Sequence, residues 1–450
     1  MATGTAAALD QLRTIFPNKV VTPDIESEYQ AAVATPWSQT CWTPAAGYMY
    51  LSNVQELTET LAIVKKTGVK FTIRTTGHNP NVGFSSADKT AVVLDIRQLQ
   101  SKELGSDGVA RIGSGSTWGE VYAWLEKQKL SAIGGRDQQV GLGGFLLGGG
   151  MGALPNLYGL GADGVRNFEV LLADGRLVNA NAKENADLYR ALKGGGSNFG
   201  IVTRFDLDTH PLINVQYTIN LYNPEDYVEI NKATMAIQNA MENDPKGGLF
   251  TNSNNGFVAV GLLYGDTPSE RPSVFKPFHN LKSLVTTESK KRAICTITTK
   301  VSQELYDDVY KSWTEVCKSL PTDYVLHYTI QPMGKAGVQA GKDRGENIMG
   351  HESIPQCWWV FTCEWPQEAS DDAAAQKAVD TIAERAQLLA KEKRALLDFK
   401  CMSFATASQT VLGSYGADNI KRMQETAAKY DPEGVFQKLQ NGGFLLRDNI

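Results

Sequence analysis

Two glycine-bearing stretches carry the residues of this 450-residue chain best suited to chemistry. The first, residues 73–83, reads IRTTGHNPNVG and sets His78 among two threonine hydroxyls and several free backbone N–H groups. A single imidazole packs as readily as it titrates, but this small polar surround suits an anion such as a diphosphate. The second, residues 134–152, reads GGRDQQVGLGGFLLGGGMG. Glycine lets the backbone come close to a flat ligand and adopt positive φ, at a cost in chain entropy, and its N–H groups can hold phosphates. A flexible linker would be serine-rich, whereas this stretch carries Val140, Leu142, Phe145, Leu146, Leu147 and Met151. Glycine crowding and Pro155 argue against a membrane span. A loop wrapped around a ligand is the expectation.

Proton-transfer candidates fall on two later segments. In residues 324–331 (YVLHYTIQ), strand alternation puts Tyr324, Leu326, Tyr328 and Ile330 on one face and Val325, His327 and Thr329 on the other. Either face can line a cavity, so Tyr328 and His327 both stand as candidates. His327 has a suitable unperturbed pKa, and a packed core histidine is the competing reading. In residues 358–365, Trp358, Val360, Thr362 and Glu364 share a face. Glu364 is either a base or a solvated strand end, the commoner fate of such a residue. His210, His279 and His351 show no ligand spacing and read as structural or solvated.

These residues must be positioned by a fold of ordinary composition, with 42% hydrophobic and 21% charged residues. A net charge of -5 gives no electrostatic case for nucleic acid or an anionic membrane. The six cysteines lack any C-x-x-C pair, so neither a metal site nor a disulfide framework is indicated. The first residues have no basic region followed by an apolar one, and a cytoplasmic protein is expected. The first half alternates helices and strands: a helix over 54–66, strands over 69–74, 91–95 and 109–113, a helix over 118–129, a hairpin of 168–172 and 177–179, and a strand over 200–208. From about residue 211, alternating strands and long polar helices predict an antiparallel sheet covered on one face. The division expected is 1–210, an inserted substrate domain over 211–400, and a returning segment over 401–450.

Arg74, Thr75, Thr76, Gly77 and His78, then Val140 to Gly144 (VGLGG), then Gly148, Gly149 and Gly150 resemble the PCMH-type FAD-binding domain of the vanillyl-alcohol oxidase superfamily. YGLGADGV at 158–165, ADG at 173–175, GGGSNFGIV at 194–202 and YDPEGVF at 430–436 agree in the same order. The match is similar in kind to the fungal form of the berberine-bridge-enzyme-like branch. It implies an α+β fold of two domains, with FAD beneath a substrate-domain sheet. It also implies that Arg74 to Asn79 cradle the diphosphate, with Gly83 closing that loop. Val140, Gly141 and Gly144 would meet the ribityl chain and ring, with Gly149, Gly150 and Gly152 continuing along it. Gly200, Ile201 and Val202 would lie near the adenine or diphosphate.

By the same resemblance His78 is the residue that bonds covalently to the flavin methyl group. A second, cysteinyl tether falls at Asp137 and is therefore missing. Val140 matches a small residue that leaves dioxygen a path to the ring. The family's tyrosine has no counterpart near Ser403, and Trp358 stands where its carboxylate is expected. The expected activity is oxidation of a small apolar or aromatic secondary metabolite, by hydride transfer to flavin N5 and release of hydrogen peroxide. Loss of those two groups leaves open a cyclase in which FAD is not the net oxidant, or a dehydrogenase slow with oxygen. A carrier without cofactor is the third reading.

Overall fold

The computed structural model describes residues 3–254, 256–268, 270, 272–278, 291–365 and 372–450; His279 lies outside them. Each half of the chain builds its own sheets. In the first half, Lys70–Arg74, Ala91–Asp95 and Gly47–Tyr50 run parallel, and Val20–Val21 closes the edge antiparallel. Five antiparallel strands follow in the order Lys102–Leu104, Ala110–Gly113, Ile201–Leu207, Val165–Leu171 and Leu177–Asn181. The ADG turn joins the last two in space, as its chemistry predicts. Asn53 caps the helix Val54–Thr67 by accepting from Glu56 N–H, and Gly68 ends it in the left-handed region. Thr117 and Glu120 form a capping box that starts Trp118–Glu126 immediately after a strand-following loop.

The second half supplies a seven-stranded antiparallel sheet in the order Gln216–Tyr222, Phe257–Tyr264, Gly247–Asn254, Val325–Met333, Gln356–Trp365, Lys291–Lys300 and Leu396–Leu397. One face carries alternate residues such as Tyr328, Trp359, Phe361 and Trp365. These bury against Gln303–Lys318 and Asp372–Glu392, while Val258, Val260 and Leu262 bury against Tyr227–Met241. Three of the seven were not anticipated from sequence: Gly247–Asn254 and Lys291–Lys300, whose polar and threonine-rich runs carry no clear apolar alternation, and the two-residue Leu396–Leu397. The glycine stretch is also not all loop. Leu142–Leu147 folds as a short helix whose Leu142 and Leu146 enter the core, so its periodic leucines outweigh its glycines.

The chain end returns to the first half. Asn441 N–H bonds Phe71 C=O, and Phe444 and Leu446 join the same core as the Val165–Leu171 strand. Among the described residues no helix is long and apolar enough to cross a membrane.

Candidate active site

Four stretches converge at the base of the site. Leu142 N–H bonds Ser116 C=O at 3.1 Å and Trp118 N–H bonds Val140 C=O at 2.9 Å, which ties the glycine stretch to the loop after Ala110–Gly113. A Cβ on Gly141 would lie 2.7 Å from Thr76 Oγ1, and one on Gly143 would lie 3.0 Å from Thr75 Cγ2. Both glycines are therefore required for the 75–78 loop to approach. Asn81 grips the fourth stretch through Ala405 C=O at 2.9 Å and Ala407 N–H at 2.8 Å.

A surface that contacts a ligand must be open when only protein is present. Thr75, Thr76, His78, Asn79, Gly83 and Val140 are part-exposed, and Gly144 is exposed with open space beyond it. Arg74 departs from expectation. It is fully buried, donates to Ala32 C=O at 2.7 Å and Ser85 C=O at 2.9 Å, and lies on the Tyr48 ring. It braces the loop from behind. The Ile201 and Val202 side chains are core residues on opposite faces of a strand, which leaves their backbone to meet a ligand. Gly77, Gly149, Gly150, Gly152 and Gly200 are buried and serve close packing. The Ser114, Ser116 and Ser403 hydroxyls are buried and find no hydrogen-bond partner among the described residues. The part-exposed Thr75 and Thr76 hydroxyls and the open backbone at Gly144 offer polar contacts to a polyhydroxylated or phosphorylated ligand, so this cradle fits FAD.

The opposite wall is the second face of the seven-stranded sheet. Trp37, whose N–H bonds Gly77 C=O, stacks on His78 with centroids 4.7 Å apart. Arg292 lies 4.0 Å from the Trp37 ring on the sheet side and pairs through Nε with Glu364 at 2.7 Å. His327 shares this face and shares Nδ1 with Asn252 Nδ2 at 2.8 Å. Burial lowers the His327 pKa, with Glu364 opposing that shift and Arg292 adding to it. Burial likewise lowers the His78 pKa, opposed by Asp137. In both, burial favours the neutral imidazole.

The structure thus brings Glu364 and His327 together and puts Tyr328 elsewhere. Tyr328 is buried on the helix side against Trp313, Trp359 and Phe361, where burial pushes its hydroxyl pKa up. It cannot meet a substrate in the cleft, and its candidacy is withdrawn. Tyr324 and Trp359 share that side, and Trp358 packs on Phe399. Trp37, Asn252 and Arg292 were missed. Their signal is contact between segments distant in sequence, which no local pattern carries. Among the described residues no group of three or more His, Cys, Asp or Glu is arranged to hold a metal ion.

Residues 45–181 match the family model described as FAD binding domain. An FAD-dependent monooxygenase of Arthrobotrys oligospora is 35% identical over 93% of this chain and 86% of its own length. The fold is similar to that of BBE-like 1 of Physcomitrella patens, with a TM-score of 0.79 at 17% identity over 97% of this chain and 99% of that one. It is also similar to glucooligosaccharide oxidase from Acremonium strictum, whose structure is described by its 6-S-cysteinyl, 8α-N1-histidyl FAD. There the TM-score is 0.76 at 20% identity, over 96% of this chain and 98% of that one. With an FAD cradle, a matching FAD binding domain and a relative 35% identical over 93% of this chain, the chain belongs to the FAD-dependent oxidoreductases, and its fold is that of the berberine-bridge-enzyme-like structures.

Proposed function

We propose that the protein is an FAD-dependent oxidase of a small apolar or aromatic secondary metabolite, with flavin tethered through His78 alone and dioxygen as final acceptor. The observation that carries this reading is the stack from His78 through Trp37 to Arg292, ending on the Glu364 and His327 wall. Those contacts support a reading in which the expected tether and the groups able to manage a proton serve one site. FAD held there would accept a hydride from a substrate C–H bond and pass the electrons on to dioxygen.

The chain's own residues supply binding and proton handling. A neutral His78 keeps the lone pair that a covalent bond requires. Asp137 provides no sulfur for a second link. Asn252 Nδ2 donates to His327 Nδ1, so the neutral ring carries its proton on Nε2 and offers that N–H to a substrate oxygen, which leaves proton acceptance to Glu364. The Arg292–Glu364 pair fixes the carboxylate beside that imidazole, where it stabilises the protonated form. Phe250, Tyr217 and Ile219 offer apolar surface for the rest of the substrate.

The test is acid precipitation of the yellow protein. Wild-type flavin should stay with the pellet, and His78→Ala should release it to the supernatant; flavin freely lost from wild type removes the tether. After anaerobic photoreduction, admitting air should return the flavin absorbance with equimolar hydrogen peroxide. Monooxygenation is the second reading, because the Arthrobotrys relative is named for it. Incorporation of labelled dioxygen into a product would favour it over the oxidase.

A further inference from the structure

Arg136 projects from the glycine stretch into the same cleft, where Nη2 donates to Gln331 Oε1 at 2.8 Å and the guanidinium lies 5.3 Å from the Phe250 ring centre. Its side chain is open to solvent, yet desolvation by the surrounding walls lowers its pKa to about 10. Among the described residues no carboxylate lies within ion-pair distance of it. The nearest titratable neighbour that acts on it is Tyr217, itself half exposed.

A solvent-accessible guanidinium with no counter-charge among the described residues keeps donors for a ligand that brings the missing charge. The guanidinium sits over Phe250 and one of its N–H groups is taken by Gln331, so the remaining N–H groups form a planar fork suited to an oxyanion. Phe250 lies across Gly261, where a Cβ would come within 2.1 Å of the ring, so a larger residue there would displace that platform. Ile219 and Tyr217, on the same face, are 52% and 51% exposed, which leaves apolar surface beside the fork.

We propose that Arg136, seated on Phe250 and oriented by Gln331, binds the negatively charged group of an aromatic substrate, a carboxylate or phenolate, while the ring lies along Tyr217 and Ile219. This rests on the reading of the cleft as the place where a small substrate is oxidised. The anion anchors one end of the substrate, and the His327 and Glu364 wall faces the remainder.

Calorimetric titration of the FAD-saturated protein with benzoate, 4-nitrophenolate and neutral benzamide tests this. At least one anion should bind about ten- to a hundredfold more tightly than benzamide, the range of a charge-assisted hydrogen bond. Arg136→Gln should abolish that preference and Arg136→Lys should keep part of it. The tighter anion distinguishes carboxylate from phenolate. Equal binding of all three probes to wild type overturns the proposal, as does an Arg136→Gln protein that keeps the preference. The wild-type comparison decides alone if the variant does not fold. Flavin absorbance of the same samples reports separately on the oxidase reading: a colourless protein that stays so after addition of FAD sinks that reading, while the anion preference still decides the role of Arg136.

Discussion

His351 shows how a buried residue outside the cleft sets the acid limit of the protein. Its ring packs 5.3 Å from Phe399 and 6.3 Å from Trp358, and its Nδ1 has no hydrogen-bond partner among the described residues. Burial, helped by Lys342, lowers its pKa to about 4. Between that value and the ordinary histidine range, the unfolded chain binds a proton that the folded chain refuses. Stability is therefore complete above pH 6.5 and falls as pH drops toward 4, by on the order of 1–3 kcal/mol from this residue. Thermal melts from pH 7 to pH 4.5 should show the decline, and His351→Leu should flatten part of it. His78, His210 and His327 shift in the same direction, so some slope remains. An unchanged slope in the variant would remove His351 from this account. Of these four histidines, only His78 was singled out by its sequence surround; His327 gained its place from the strand beside it.

At the scale of elements, the turn after Leu142–Leu147 is the most constrained part of the cradle. Gly150 has φ +79, and a Cβ there would lie 2.5 Å from Phe145. Gly150 C=O also accepts from Gly161 N–H at 2.8 Å, which holds the turn against the next segment. Gly150→Ala combines a left-handed alanine with a clash and should cost about 1–3 kcal/mol. A lower denaturation midpoint together with reduced flavin absorbance per chain is the expected result; normal flavin content would separate this turn from the cofactor site. The glycines were legible because the demand for positive φ is local. Which face of Val325–Met333 looks into the cleft was not, because alternation defines two faces and only packing against Gln303–Lys318 decides between them.

Across the whole molecule, the returning C-terminus locks the cradle from outside. Asn198 is fully buried and donates to Gly195 C=O at 2.8 Å and Phe444 C=O at 2.9 Å. Its Oδ1 accepts from Leu446 N–H at 2.8 Å and Gln437 Nε2 at 2.9 Å. Asn198→Ala strands these groups in the core and should cost about 2–3 kcal/mol. Chemical denaturation should show that loss, and limited proteolysis should release a C-terminal peptide first. Resistance equal to wild type would mean that the tail is held by its apolar contacts alone.

The sequence by itself determined the cradle: the small polar loop around His78, the glycines that admit Thr75 and Thr76, and the aspartate at position 137. These are demands of local backbone and side-chain chemistry, written in consecutive residues. Only the tertiary structure buried the Arg74, Ile201 and Val202 side chains, sent Tyr328 into the core and joined Arg292 to Glu364. It also set Arg136 beside Gln331, 195 positions away, and Asn252 beside His327, 75 positions away. Such pairs depend on how two sheets and their loops face one another, and strand order leaves no mark in the short-range pattern of a chain.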